Sequence, residues 1–458
     1  MKEEVLKELK SIVGEDWVVC AKDAVEPYLY DETPIPLRPK ASSDVVVVKP
    51  GSVEEVSKIL DLANRHKIPV FPRGGGTGLA GACIPTLNGI ILSLERMNKI
   101  TVDSENLIAE AEAGATLRDL IDAAEKAGLS FPLHPGDEGA QIGGLIACNA
   151  GGARAIKTGV MRNCVKGIEL VLPTGEIIRL GGKVLKNNVG YDLMHLIIGS
   201  EGTLGIITKA WIRLQPREVA TATIVIPFDQ REKALGMVPK IFHEGILPLA
   251  IEYVEKNLVE RVAKNLGLKW PCEAGEYQLM VILSESSEES LLSTSERLLE
   301  LSEKSGSLEV VAAETRKEQD EILKIRSEIY STLKPDMVDI LDTTVPPARL
   351  IDLIKTVNEL EAKYGVYMPV YGHAGDGNLH IHLMKWDGWT EEKYDEVRSV
   401  IYRKALELGG TITGEHGIGY LRRKYMDDIV DRKALELMKE IKRIFDPNNI
   451  LNPDKIFP

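Results

Sequence analysis

The sequence predicts an α+β chain built as two packed units, and three observations carry that expectation. Its 458 residues exceed what one ordinary core organises. Residues 41–215 are glycine-dense and alternate short Val/Ile-rich runs with helical patches. From Thr221 the texture changes to a few strands set among long helices.

The opening stretch, Met1-Lys-Glu-Glu-Val-Leu-Lys-Glu-Leu, spaces apolar residues at helical intervals among charges, which predicts an amphipathic helix and not a secretory leader. Strands are expected at Asp44-Val-Val-Val-Val, Ile68-Pro-Val-Phe, Gly89-Ile-Ile-Leu-Ser-Leu and Gly167-Ile-Glu-Leu-Val-Leu, where β-branched runs meet turn residues. Further on, Thr221-Ala-Thr-Ile-Val-Ile-Pro-Phe and Tyr277-Gln-Leu-Met-Val-Ile-Leu read as strands. Residues 230–243 and 288–304 read as helices, and 366–383 as a β-hairpin. That pattern predicts an antiparallel sheet covered on one side. A last helix over residues 431–444 runs into Phe445-Asp-Pro-Asn-Asn-Ile-Leu-Asn-Pro, whose proline steps stop it and form a tight tail.

Hydrophobic residues at 44% and charged residues at 27% fit a globular chain. The formal net charge of −13 argues against a nucleic-acid surface, which needs a basic patch. No run approaches the roughly 20 apolar residues of a membrane span, so a cytoplasmic protein is expected. Cys20, Cys83, Cys148, Cys164 and Cys272 form no C-x-x-C pair, so neither a zinc knuckle nor an iron–sulfur cluster is encoded. Their scatter fits reduced thiols.

Pro72-Arg-Gly-Gly-Gly-Thr-Gly-Leu-Ala-Gly contains a G-x-G-x-x-G match at Gly76, Gly78 and Gly81. A nicotinamide fingerprint needs a helix starting on that loop. Here Ala82-Cys-Ile-Pro-Thr-Leu-Asn-Gly carries proline and glycine where the first turns belong. The loop still lets backbone N–H groups converge on a diphosphate. A second glycine-rich segment follows at His134-Pro-Gly-Asp and Gln141-Ile-Gly-Gly-Leu-Ile-Ala-Cys-Asn-Ala-Gly-Gly. Beyond it come Lys186-Asn-Asn-Val-Gly-Tyr-Asp-Leu and Gly199-Ser-Glu-Gly-Thr-Leu-Gly-Ile-Ile-Thr.

These motifs resemble the vanillyl-alcohol-oxidase type of FAD-binding domain. Within that superfamily they resemble the branch of D-lactate dehydrogenase, the glycolate oxidase flavoprotein subunit and D-2-hydroxyglutarate dehydrogenase, from about Asp31 to the C-terminus. The resemblance implies a two-subdomain FAD-binding domain over residues 1–218 and an α+β cap domain with an antiparallel sheet over 219–420. Residues 421–458 would then return to the first domain as a helix and tail. It also implies that Arg73, Gly74, Gly75, Gly76, Thr77 and Gly78 wrap the FAD diphosphate, largely through backbone N–H groups. Pro135, Gly136, Asp137, Gly143, Gly144, Asn149 and Gly152 would line the rest of the cofactor, with Gly205 and Ile206 at the adenine end. Thr158 stands where relatives often carry tyrosine. Some members bind flavin covalently through a histidine just after the glycine run. Thr77-Gly-Leu-Ala-Gly-Ala has none, so FAD is expected to bind non-covalently.

Four of the eight histidines fall in Gly372-His-Ala-Gly-Asp-Gly-Asn-Leu-His-Ile-His and Gly414-Glu-His-Gly-Ile-Gly. On a strand, Asn378, His380 and His382 share one face, and the intervening turn can fold His373 back towards His380. Glu415 and His416 would point oppositely on a regular strand, but Gly414 and Gly417 free the backbone to aim both inward. Two imidazoles and a carboxylate suit a divalent metal, leaving another histidine as a base. The resemblance implies His373, His380 and Glu415 as ligands of zinc, iron or manganese, and His416 as base. Asn378 and His382 complete the catalytic group.

A substrate carboxylate wants the donor fork of an arginine. Arg326 matches the substrate arginine of the resembled branch, with Tyr330 expected one helical turn later on the same face. Arg349 is a weaker candidate. The implied activity is oxidation of a small D-2-hydroxy acid, D-lactate or glycolate, with hydroxyl deprotonation and hydride transfer to flavin N5. A carbanion route would use the same residues. Without an encoded cluster, electrons are expected to leave through an iron–sulfur subunit, an electron-transferring flavoprotein or a quinone, which allows a peripheral position at a membrane. A homodimer is allowed by the sequence. The alternatives are a D-2-hydroxyglutarate dehydrogenase and an alkylglycerone-phosphate-synthase-like enzyme. Relatives acting on D-2-hydroxyglutarate carry a lysine in a K-Y-D run. Ile340 stands there in Ile340-Leu-Asp-Thr-Thr-Val-Pro, with Lys334 nearby.

Overall fold

The computed structural model describes every residue except Met1 and Glu314. The chain forms two compact units, the first from the residues up to Ala150, Val160–Arg217 and Glu415–Pro458, the second from Gly151–Gly159 and Glu218–Gly414. Residues 151–159 thus group with the second unit, and the first unit resumes at Glu415.

In the first unit, strands Val45–Val48, Gly89–Ser93 and Val70–Arg73 pair in parallel, and Val18–Val19 adds antiparallel to the first of them. All four valines of Val45–Val48 are buried. Val46 and Val48 pack under helix Val53–His66, and Val45 and Val47 under a second small core, so a continuous apolar run replaces alternation. Ser52 caps that helix by accepting the N–H of Glu55. The amphipathic N-terminal helix spans Glu3–Val13, and Met1 lies outside the described residues. As expected, no helix follows the glycine loop between Arg73 and Gly89.

A second, antiparallel sheet of this unit has the order Ile100–Asp103, Ile108–Glu112, Ile206–Arg213, Val165–Val171, Ile177–Gly181. Helices Leu117–Lys126 and Ile142–Ala147 share its core. The C-terminal helix Arg432–Phe445 stops at Asp446, which is 2% exposed. Its carboxylate takes Lys442 Nζ at 2.5 Å and the N–H groups of Ile450 and Leu451 at 3.0 and 2.8 Å. The tail is thereby folded back, and Leu451 bridges to Val70.

The second unit is built on a seven-stranded sheet, wholly antiparallel, in the order Val311–Ala313, Ala220–Phe228, Tyr277–Glu285, Ala250–Glu255, Val370–His373, Asn378–Met384, Met337–Thr344. Val225, Met280, Val254 and Tyr371 pack beneath helices Lys256–Leu266, Arg316–Ser327 and Ile329–Leu333. The opposite face is also covered, which corrects the expectation of a sheet covered on one side. There Ile224, Val281, Ile251 and Tyr253 are buried. Helix Arg231–His243 brings Arg231 Nε to Glu255 Oε1 at 2.8 Å on that face, and helix Leu350–Tyr364 packs against that helix. The physical reason is legible in Thr223-Ile-Val-Ile, whose neighbouring apolar residues serve both faces.

A second correction concerns Arg326 and Tyr330. They do not share a helix, because Arg316–Ser327 ends at Glu328 (φ −89°, ψ 8°) and Tyr330 belongs to the separate turn Ile329–Leu333.

Arg231 and its carboxylates are among the most buried charges of the second unit: Arg231 and Glu255 side chains are 4% and 2% exposed, and Glu361 adds a contact at 2.7 Å. Removing the cation alone leaves Glu255 buried without its counter-charge. Arg231→Met is therefore expected to destabilise by about 3–5 kcal/mol, read as a lower urea midpoint. Adding Glu255→Gln should restore part of the loss, and a double variant less stable than Arg231→Met would count against this account.

Candidate active site

Strand pairing lines up the candidate site before any side-chain bond is considered. Tyr371 pairs with His380 and His373 with Asn378. On the next strand Asp342 faces His380, and Thr344 faces Asn378. Residues directly opposite project to one face, so Tyr371, His380 and Asp342 form one row and His373, Asn378 and Thr344 the next. The turn Ala374–Asp376 closes the hairpin, and Gly377 takes φ 84° to complete it. The expected return of His373 towards His380 is thus made, with ring centroids 5.3 Å apart.

Tyr253 pairs with Gly372, which sets Glu252 beside His373. Glu252 is 1% exposed. Its Oε1 accepts His373 Nδ1 at 2.7 Å, and its Oε2 accepts Arg326 Nε at 2.6 Å and Nη2 at 2.5 Å. Burial alone would push this carboxyl up, but Arg326 and His373 outweigh it and hold it below the ordinary carboxylate value. The guanidinium also lies over the Tyr371 ring at 4.8 Å. Nothing in local sequence pattern pointed to Glu252; its one signal is an acid in the middle of the apolar run Ala250-Ile-Glu-Tyr-Val.

Asp342 has no exposed surface. It accepts Asn378 Nδ2 at 2.8 Å and Thr413 Oγ1 at 2.9 Å, while its backbone carbonyl takes the N–H of Gly414 at 2.9 Å. Asn378 Nδ2 lies 3.0 Å from Thr344 Oγ1 as well. Residues 411–414 are thereby laid along the edge strand, with bridges at Thr344–Thr411 and Asp342–Thr413. Gly414 must be glycine, since a Cβ there would stand 2.6 Å from Asn378 Nδ2.

Glu415 and His416 follow directly along the chain. Donor atoms of Asp342, His380, Glu415 and His416 all lie within 4.8 Å of one another. Within the group, His380 Nδ1 is 3.6 Å from Asp342 Oδ1 and His416 Nε2 is 3.8 Å from Glu415 Oε1. Two imidazoles and two carboxylates are a donor set that fits a divalent cation. Of the residues singled out from sequence, the fold gathers His380, Glu415 and His416, with His373 adjacent to His380 but outside the group of four. Asp342 was missed, and its signal was again an acid inside a buried strand.

The other candidates are placed as follows. His382 shares the face of His380 but is fully buried, its ring 5.0 Å from Tyr371 and its Nδ1 3.1 Å from Met337 Sδ. Asn378 holds Asp342, and Tyr330 is half-buried. Arg349 is exposed and paired with Asp352 at 3.1 Å. Ile340, 2% exposed, pairs with His382.

In the first unit, the Arg73 side chain lies against Gly76 of its own loop and donates to the carbonyls of Tyr30 at 2.9 Å and Pro27 at 3.2 Å. The glycine loop lies against the second glycine segment so closely that a Cβ on Gly75 would stand 2.5 Å from Gly139 O. Gly74 likewise abuts Gln141 and Gly144. Among the described residues, the N–H groups of Gly75, Gly76, Thr77 and Gly78 make no hydrogen bond. Four successive backbone donors without protein partners, on a glycine edge, fit a diphosphate. Gly143 is anchored to Ala113 O at 2.8 Å. Asn149, at φ 51°, accepts the N–H of Arg162. Gly205 and Ile206 open strand Ile206–Arg213, and Gly152 lies in the stretch that groups with the second unit. Pro135, Gly136 and Asp137 form an open turn between the two segments, with Gly136 at φ 86°.

Comparison with known proteins gives the family. Residues 45–181 match the FAD binding domain family, and residues 217–456 match the C-terminal domain of FAD linked oxidases. The D-lactate dehydrogenase of Archaeoglobus fulgidus is 46% identical over 429 residues, covering 94% of this chain and 95% of that protein. The glycolate oxidase subunit GlcD of Bacillus subtilis is 36% identical, covering 94% and 92%. An alkyldihydroxyacetonephosphate synthase structure shares the fold, with a TM-score of 0.75 at 21% identity over 99% of this chain and 86% of that one. The chain belongs to the FAD-linked oxidases of the vanillyl-alcohol-oxidase type, in their D-lactate dehydrogenase and glycolate oxidase branch, and is an FAD-dependent oxidoreductase.

Proposed function

We propose that this enzyme oxidises a small D-2-hydroxy acid to the 2-oxo acid, D-lactate foremost and glycolate next. The observation that carries the reading is the group of Asp342, His380, Glu415 and His416, joined through the His373–His380 contact to Glu252 and Arg326. FAD, when bound, would supply the two-electron acceptor, and a divalent cation such as zinc, iron or manganese held by His373, His380 and Glu415 would supply charge that acidifies a hydroxyl, with His416 left outside the ligand set. His416 takes the hydroxyl proton at a ring nitrogen. Arg326 gives its Nε–Nη2 edge to Glu252, so the substrate carboxylate meets Nη1. Glu252 fixes both that guanidinium and the tautomer of His373, in the manner of a carboxylate behind a ligand histidine.

Ile340 supports a monocarboxylate. It projects to the same sheet face as Asp342, two positions away, and offers no partner for a second anion. Stripping a carboxylate of water without a partner is costly. The electrons then pass to a partner protein or quinone. No helix among the described residues is long and apolar enough to cross a membrane.

Anaerobic addition of D-lactate should bleach the flavin, and chelation should abolish turnover until zinc, manganese or ferrous ion is restored. Full turnover by metal-free protein would remove the cation from the reading. His416→Ala should retain FAD but slow flavin reduction by roughly 10²–10⁴-fold; a loss under about tenfold would leave His416 without the role of base. Under one acceptor, kcat/KM for D-lactate should exceed that for D-2-hydroxyglutarate. A tenfold preference for the dicarboxylate, about 1.4 kcal/mol of differential transition-state binding, would overturn the monocarboxylate assignment and point to Lys334 or Arg349 as the second clamp.

A further inference from the structure

Glu415 and His416 stand at the start of a stretch that local sequence leaves loose. Gly417 and Gly419 adopt φ values of 81° and 51°, and no helix begins before Arg423–Tyr425. The backbone behind His416 is nevertheless held from both peptide edges. The carboxylate of Glu201 accepts the N–H of Ile418 on Oε1 and that of Gly419 on Oε2, each at 2.8 Å. On the carbonyl side, Gly417 O accepts Arg422 Nη1 at 3.3 Å.

Glu201 is itself fixed. Its N–H donates to Ala147 O at 2.8 Å and its carbonyl accepts Asn452 Nδ2 at 2.8 Å. It adopts φ 50°, a left-handed conformation that non-glycine residues keep only where their surroundings over-determine it. Only 7% of the residue is exposed. A Cβ on Gly417 would come within 2.9 Å of Oε1, so the carboxylate occupies the space that this glycine leaves. Water or a hydroxyl would satisfy two loop N–H groups at less cost than a buried ion. Two acceptor oxygens on one fixed side chain hold both N–H groups in a single geometry.

We propose that Glu201 is a positioning residue for the oxidation: its two-oxygen clamp on residues 418 and 419 keeps the His416 imidazole within reach of the substrate hydroxyl. The inference rests on the reading of His416 as the base. Glu201 lies in the Gly199-Ser-Glu-Gly-Thr motif, so one segment serves both the FAD-binding fold and the aim of the base.

The test is a double-mutant cycle on the rate of flavin reduction at saturating D-lactate, in FAD-loaded enzyme, with FAD affinity and thermal midpoint measured beside it. Glu201→Gln keeps the shape but turns an amide NH2 towards one loop N–H. It should slow reduction by roughly 10–100-fold, the effect of a small misplacement, while KM and FAD affinity stay within about threefold. Gly417→Ala, which presses on the same carboxylate oxygen, should reproduce that split and serves if Glu201→Gln folds poorly. In a His416→Ala background, Glu201→Gln should cost almost nothing more, because there is no base left to aim. Full additivity with His416→Ala would overturn the proposal, as would FAD loss in step with activity. If His416→Ala alone leaves reduction intact, the base assignment fails instead, and the two failures are thereby told apart.

Discussion

Asp342 is a carboxylate without exposed surface, placed on the edge strand of the large sheet. An ion so buried costs several kcal/mol unless donors and counter-charges meet it, and the donors that do so organise everything around it. Asn378 reaches it from the hairpin, Thr413 from the stretch that ends at Gly414, and His380 stands 3.6 Å away. Because Thr413 and Gly414 are bound there, the covalent chain fixes where the Glu415–His416 pair begins. Substituting Asp342 would therefore disturb the hairpin, the edge and the last acid–histidine pair together.

Burial of carboxylates recurs through this unit, and the partners decide what each one does. Glu255 is closed off by Arg231 and Tyr253, and Asp339 by Arg398 at 2.7 Å. Those pairs act as structural ties between sheet and helix. Glu252 and Asp342 instead meet His373 and His380. Glu252, hydrogen-bonded behind the His373 imidazole, fixes which of its ring nitrogens carries the proton and leaves the other for chemistry. The same sheet thus uses one device, the compensated buried acid, for two ends.

The first unit works by removing side chains. Gly75 allows the two glycine segments to approach until no Cβ would fit, and four N–H groups are left without acceptors among the described residues. Such a loop is poorly stabilised by itself, so its surroundings must be rigid. The parallel sheet with its doubly buried valines supplies that below the loop, and the tail folded back by Asp446 bridges at Val70 to the strand that leads into it.

Much of this was legible in the sequence. Strand and helix identities follow from local period and turn chemistry, and most of the expected elements are found. The absence of a helix after the glycine loop follows from Pro85 and Gly89, and the succession of glycine-rich segments brought out the resemblance to FAD-linked oxidases. What local pattern could not carry was non-local pairing. Glu252 lies 121 residues from His373, and their meeting depends on two strands becoming neighbours in the sheet. Asp342 joins His380, and Glu201 joins the backbone behind His416, for the same reason. The burial of the second face of the sheet and the break between Arg326 and Tyr330 were likewise settled by packing, which can override helical spacing and alternation. The sequence by itself determined the types of element and the chemistry available to them, because period, turn residues and side-chain type are local properties. Only the tertiary structure decided which acids stand behind which histidines, because that depends on strand order, and strand order is an energy of the whole sheet.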